Sequence, residues 1–319
     1  MRTVIARCQG DILTGKEDWD GALEAYAQVT PLPPGAAPRA GPDGLLAAPR
    51  DGAAGPSAIG RVATAAAETD NAAVALAGAG RVRLRRGDVQ GAMACFEEAR
   101  RKRQAMGWER TANAALLLEF TSEAHVQLED WAQAVSCLRE AEGILEELGD
   151  LDSESGAAIL QSMGDVQWRL KCNTEAMTSF RRAKQIMEHL GQMSTPSGAV
   201  LRARLGEVLA DDHRDEEALG EYRAAMETVR DLRMERTETA AGVLAGLAQV
   251  HATLGQLGEA LEANHKARDV LAAIGQGACH LAGVVARRTG AVLAKQGQWP
   301  EARAELERGR GIYEGLGKT

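Results

Sequence analysis

The chain has 319 residues and a formal net charge of −8, with 45% apolar, 26% charged and only 3% aromatic residues. That length suits about two average domains or one extended array, and the scarcity of aromatics asks for a core of Ala, Leu and Val in closely packed helices. No apolar run approaches the roughly 18–20 residues of a membrane span, and the acidic balance argues against a general nucleic-acid binder.

The chain opens on Met1-Arg2-Thr3-Val4-Ile5 and runs at once into charged sequence, so no secretory leader is expected. Residues 1–29 carry Gly10, Ala22 and Tyr26, a small–alanine–bulky triplet that returns along the later chain. They read as a partial helical hairpin with a short first helix. Residues 30–56 hold seven of the nine prolines and read as a Pro/Gly/Ala-rich linker, either a surface insertion or a strap lying on a partner.

From there a period of 42 residues governs the sequence. Stepping by 42 from Ala92 meets Ala134, Ala176, Ala218, Ala260 and Ala302. Twelve residues before each alanine stand Gly80, Ser122, Gly164, Gly206, Ala248 and Gly290. Seven residues after it stand Ala99, Ala141, Ala183, Ala225, Ala267 and Gly309. The position four residues after each alanine is bulky in most units: Phe96, Leu138, Phe180, Tyr222, Asn264 and Leu306. Fourteen residues on, each unit has an apolar residue: Met106, Leu148, Leu190, Leu232, Ile274 and Leu316. Small residues at one helix level let two backbones approach to about 8 Å. The bulky residue one turn away then fills the space beside them.

Polar turns divide each unit into two helices: Arg86-Gly87-Asp88, Glu129-Asp130, Lys171-Cys172-Asn173, His213-Arg214-Asp215, Gly255-Gln256 and Gly297-Gln298. Asp and Asn there are expected to cap the second helices, and Pro300 suits a first turn. Gly107, Gly149, Gly191 and Gly275 end second helices, with Arg233 and Gly317 in the corresponding places.

The pattern resembles the tetratricopeptide repeat, in its 42-residue kinesin light chain form. The likeness covers residues 66–317, as repeats 66–107, 108–149, 150–191, 192–233, 234–275 and 276–317. It implies an all-α fold, an α-solenoid of about six helix hairpins over 57–319 in a right-handed superhelix. It also implies that first helices line a concave groove that binds other proteins. The groove positions are then Arg81, Leu84 and Arg85; Glu119, Glu123 and Gln127; Gln161, Asp165, Trp168 and Arg169; Glu207 and Asp211; Gln249 and Thr253; Arg287 and Lys295. Arg81, Glu123, Asp165, Glu207, Gln249 and Ala291 replace the asparagines with which kinesin light chain grooves hold peptide backbone. The lysines and asparagines of the chaperone-tail clamp are absent too.

Charge is uneven along the chain. Residues 73–110 carry a net charge of +5 and residues 111–168 a net charge of −11. This reads either as solvated helix faces or as a bipolar surface that orients a complementary partner. Trp168 reads as a groove anchor or as packing for the neighbouring repeat. Trp131 and Trp299 read as turn-packing residues, and His125 and His251 as interhelix filler. Arg100-Arg101-Lys102-Arg103 lacks interleaved aromatics and reads as solvated surface.

No catalytic constellation emerges. There is no Gly-x-Ser-x-Gly, phosphate loop or dinucleotide fingerprint, and the six histidines and five cysteines have no metal-ligand spacing. An odd number of scattered cysteines fits a reducing compartment. The expectation is a cytoplasmic, non-catalytic scaffold or adaptor in a larger assembly, with no cofactor and no metal. It would bind proteins through the groove, the uncapped solenoid ends or the linker. The alternative is a sensor or regulatory array of a larger signalling protein, and an enzyme or enzyme-activating subunit is a third reading.

Overall fold

A computed structural model describes residues 18–27 and 56–317. The 30–55 part of the expected linker and Gly10 of the expected first helix lie outside the described residues. Those described form thirteen α-helices and no strand. The chain divides into two compact units, residues 1–166 and 167–319.

The first unit holds α1 (Trp19–Ala27), α2 (Pro56–Arg85), α3 (Val89–Met106), α4 (Ala112–Gln127), α5 (Trp131–Leu148) and most of α6 (Glu154–Arg169). Helix α1 supplies the second half of the expected partial hairpin. Ala22 and Tyr26 are buried against α2, and Asp20 pairs with Arg86 at 2.7 Å. A side chain at Gly78 would collide with the Tyr26 ring, so glycine lets α1 approach. The second unit holds α7 (Asn173–His189), α8 (Pro196–Asp211), α9 (Asp215–Asp231), α10 (Glu238–Thr253), α11 (Leu257–Ala273), α12 (His280–Lys295) and α13 (Trp299–Gly315).

The 42-residue register is the packing register. Ala92, Ala134, Ala176, Ala218 and Ala260 are fully buried. A Cβ at Gly80 would enter the Phe96 ring, and one at Gly206 would lie 3.0 Å from the Tyr222 ring. Tyr222 also fills the space over Gly246, so one ring from α9 seals against both α8 and α10. The apolar residues fourteen positions after the alanines behave differently. Met106 is buried, whereas Leu148, Leu190, Leu232 and Leu316 are exposed at the ends of their hairpins.

Helix starts are partly as expected. Asp88 and Asp130 accept from the backbone N–H groups of Gly91 and Gln133. Asn173 and Asp215 do not cap, because they stand one residue inside their helices, after Cys172 and Arg214. The first helices have their own caps at the same period: Thr111, Ser153, Thr195 and Thr237 accept from Ala114, Gly156, Gly198 and Ala240. Thr195→Ala is expected to lower unfolding stability by about 1 kcal/mol, read by chemical denaturation.

The cationic run on α3 is not one solvated patch. Arg101 pairs with Glu97 and Glu98, Lys102 with Glu98, and Arg100 with Glu140. Arg103 turns inward and is only 4% exposed, held by Asp70 at 3.0 Å and by the Thr111 hydroxyl. The reason lies in the period: Leu145, Met187, Val229 and Leu271 occupy its place in later hairpins and are all buried. Trp131 packs on its hairpin as expected, but Trp299 is 68% exposed, so it does not pack its turn. His251 ties its turn, whereas His125 is largely buried beside its own and makes no hydrogen bond through Nδ1. His125 Nδ1 faces Asp130 at 3.6 Å, and His251 Nδ1 hydrogen-bonds Gln256 at 2.5 Å.

Candidate partner-binding surface

In the first unit the expected surface residues sit on α2, α4 and α6. The Arg81 guanidinium lies 4.4 Å from the centre of the Phe120 ring, a cation–π stack that fixes α2 to α4. One residue before Phe120, Glu119 accepts from the Ser162 hydroxyl of α6 at 3.3 Å. Burial pushes the Glu119 carboxyl up. The Ser162 bond and Arg81 pull it down, and Glu123 raises it further. The structure therefore brings Arg81, Glu119 and Glu123 into one electrostatic group. Arg85 and Glu123 are exposed, and Asp165 is half-buried on α6.

In the second unit Trp168 is tied rather than free. Its indole N–H donates to Asp211 Oδ2 at 2.9 Å, and Lys171 approaches the same oxygen at 3.9 Å. Glu207 accepts from Arg204 at 2.9 Å. Arg169, Arg287 and Lys295 are exposed.

Sequence reasoning missed three residues at this surface or buried beneath it. Arg288 donates to the Ala245 carbonyl at 3.0 Å and to the Gln249 side chain, joining α12 to α10. Burial pulls its pKa down. Tyr222, read only as a core residue, sits within the fields of Glu207, Arg288, Asp211 and Arg204. Burial, then Glu207, push its phenol far above the ordinary value. Phe120 is the third. The signal was available, because Gly78, Phe120, Ser162, Arg204, Gly246 and Arg288 are one position in the period. That position meets the preceding first helix in both units: Phe120 meets Arg81, and Arg288 meets Gln249.

Among the described residues no group of three or more His, Cys, Asp or Glu side chains could hold a metal ion. Cys95, Cys137, Cys172 and Cys279 are free thiols, and burial pushes those of Cys95 and Cys137 up. Among the described residues no helix is long and apolar enough to cross a membrane.

No protein-family model and no curated protein matches the sequence. Solved structures do match. BtubC (BKLC) from P. vanneervenii is 20% identical over 72% of this chain and 91% of its own, with a TM-score of 0.60. A putative kinesin light chain from Podosopora anserina, with nearly identical TPR-like repeats, is 15% identical over 66% of this chain and 99% of its own, with a TM-score of 0.54. The fold is tetratricopeptide-like. The apo form of RapI extends the likeness to 98% of this chain and 76% of its own, at 14% identity and a TM-score of 0.62. The tetratricopeptide-like hairpins thus account for the small–bulky–small ladder and for the alternation of first and second helices.

Proposed function

We propose that this tetratricopeptide-like chain is a non-catalytic protein-interaction scaffold, acting as a subunit of a larger cytoplasmic assembly. One observation carries the reading. In each unit the polar and aromatic side chains of the first helices are fixed by the next first helix: Arg81 by Phe120, Glu119 by Ser162, Trp168 by Asp211, and Gln249 by Arg288. Such a face offers shape and charge at set intervals. It enters a complex with little side-chain ordering left to do, which favours affinity.

Around these fixed groups stand charges that reach solvent: Arg85, Glu123, Arg287 and Lys295. They suit the steering and selection of a partner with complementary charge. Leu306 of α13, which packs over Gly290 of α12 but keeps an open side, adds a second contact surface. It is 44% exposed, while Phe96, Leu138, Phe180 and Tyr222 at the same position are sealed.

The test reverses the four exposed charges together, as Arg85→Glu, Glu123→Lys, Arg287→Glu and Lys295→Glu. Surface changes of this kind cost about 0.5 kcal/mol or less each, so the fold is retained. The expected result is a partner affinity reduced by about tenfold or more at physiological salt, with unchanged circular dichroism. Unchanged affinity would place the partner elsewhere on the molecule.

A further inference from the structure

The first unit contains a cavity of about 340 Å³. It lies between α2 and α4, with Tyr26 of α1 and Arg103 of α3 completing its wall. Its apolar lining comes from Val74, Ala77, Leu116, Leu117 and Phe120. Two arginines, Arg81 and Arg103, also belong to the lining. We propose that the cavity is a binding site for a small organic carboxylate, with an aryl or short branched body against Leu116, Leu117 and Phe120 and its carboxylate on Arg81. The site goes beyond the scaffold reading, and it shares Arg81 and Phe120 with the face that reading uses.

Charge identifies the ligand. Arg103 is committed to Asp70 and Thr111. Arg81 is not: among the described residues it makes no ion pair, and its guanidinium carbon stands 4.4 Å over the centre of the Phe120 ring. Stacking of this kind leaves the N–H edge of a guanidinium available, and that edge matches the two oxygens of a carboxylate. Glu119 is the carboxyl that acts on Arg81. It stands outside the cavity lining, and Ser162 already occupies one of its oxygens. The lining itself holds two cations, Arg81 and Arg103, and no carboxylate.

Size separates a small molecule from a polypeptide. Small-molecule sites span roughly 300–1,000 Å³, are mostly apolar, and carry a few convergent polar groups. This cavity sits at the low end of that range and has that composition. Leu116 is 37% exposed at its rim, so the entrance is apolar as well.

The probe is 3-phenylpropionate, with 3-phenylpropionamide as its uncharged match, titrated calorimetrically into the full chain. One charged hydrogen-bonded contact corresponds to about tenfold or more in affinity. The acid is expected to bind one to one, and the amide about tenfold or more weakly. Arg81→Met, which keeps the stem over Phe120, is expected to bring the acid down to the level of the amide. Leu116→Glu is an exposed change that keeps the fold. It is expected to weaken the acid more than the amide. Equal binding of acid and amide, or no saturable binding of the acid, overturns the proposal. A Glu-Leu peptide that binds where the free acid does not overturns it too, and gives the cavity to polypeptide. Loss of a protein partner in the charge-reversed variant bears only on the scaffold reading.

Discussion

Asp70→Ala is expected to destabilise the first unit by about 3 kcal/mol, the lower end of the cost of stranding one partner of a buried ion pair. Arg103 is 4% exposed and Asp70 is 32% exposed, so the cost falls mainly on the guanidinium left behind. The Thr111 hydroxyl alone cannot neutralise it. The double variant Asp70→Ala/Arg103→Leu is expected to recover most of the loss, because a buried pair replaced by apolar groups is often neutral or stabilising. Leucine is apt, since Leu145 and Leu271 hold the same place in other hairpins and are fully buried. Urea unfolding of the two variants checks this. A double variant as unstable as the single one would mean that the Arg103 site does not accept the apolar packing seen at Leu145.

Asn264→Leu is expected to do the opposite and raise stability. Asn264 is 1% exposed, and neither its side-chain oxygen nor its side-chain nitrogen has a hydrogen-bond partner. It stands where Phe96, Leu138, Phe180 and Tyr222 fill the hairpin interlock. An unsatisfied buried polar group costs about 1–3 kcal/mol. Leucine at 264 removes that cost and adds apolar contact with the helices packed on α11, α10 and α12. The melting temperature is expected to rise by about 2–4 °C per kcal/mol gained, for a unit of this size. Asn264→Ala removes the same polar atoms and leaves a void, so it is expected to gain less. Thermal unfolding followed at 222 nm gives the comparison, and a fall in melting temperature for Asn264→Leu would mean that the amide is satisfied in solution.

These two residues also mark what the sequence made legible. The hairpin ladder was readable because packing is strict there: a Cβ at Gly80 or Gly246 has nowhere to go, so the residue types repeat. Arg103 was misread as solvated because it was taken with its cationic neighbours instead of with Leu145 and Met187 one and two periods on. The caps Thr111, Ser153, Thr195 and Thr237 were equally periodic and were passed over in favour of the turn acids. Helix phase, not residue type, decides which way a polar side chain points.

The surface was less legible. Position could be assigned from the period, so Arg81, Glu119, Trp168, Glu207 and Asp211 came out on first helices, where the structure has them. What could not be assigned was how each is tied. The Trp168–Asp211 and Arg288–Gln249 links join residues 43 and 39 positions apart, and they depend on the exact offset of successive helices. The same offset opens the Arg81 cavity beside Phe120.

The central claim is that this chain works by holding other proteins. The most direct measurement is recovery of the tagged chain from its own cells at mild salt, with the stoichiometry of each co-purifying protein determined. The recovery is made in parallel for the variant reversed at Arg85, Glu123, Arg287 and Lys295. The account predicts a fixed stoichiometric set of partners with the native chain and a depleted set with the folded variant. A chain recovered alone, or partners retained unchanged by both the variant and Leu306→Glu on the α13 face, would contradict it.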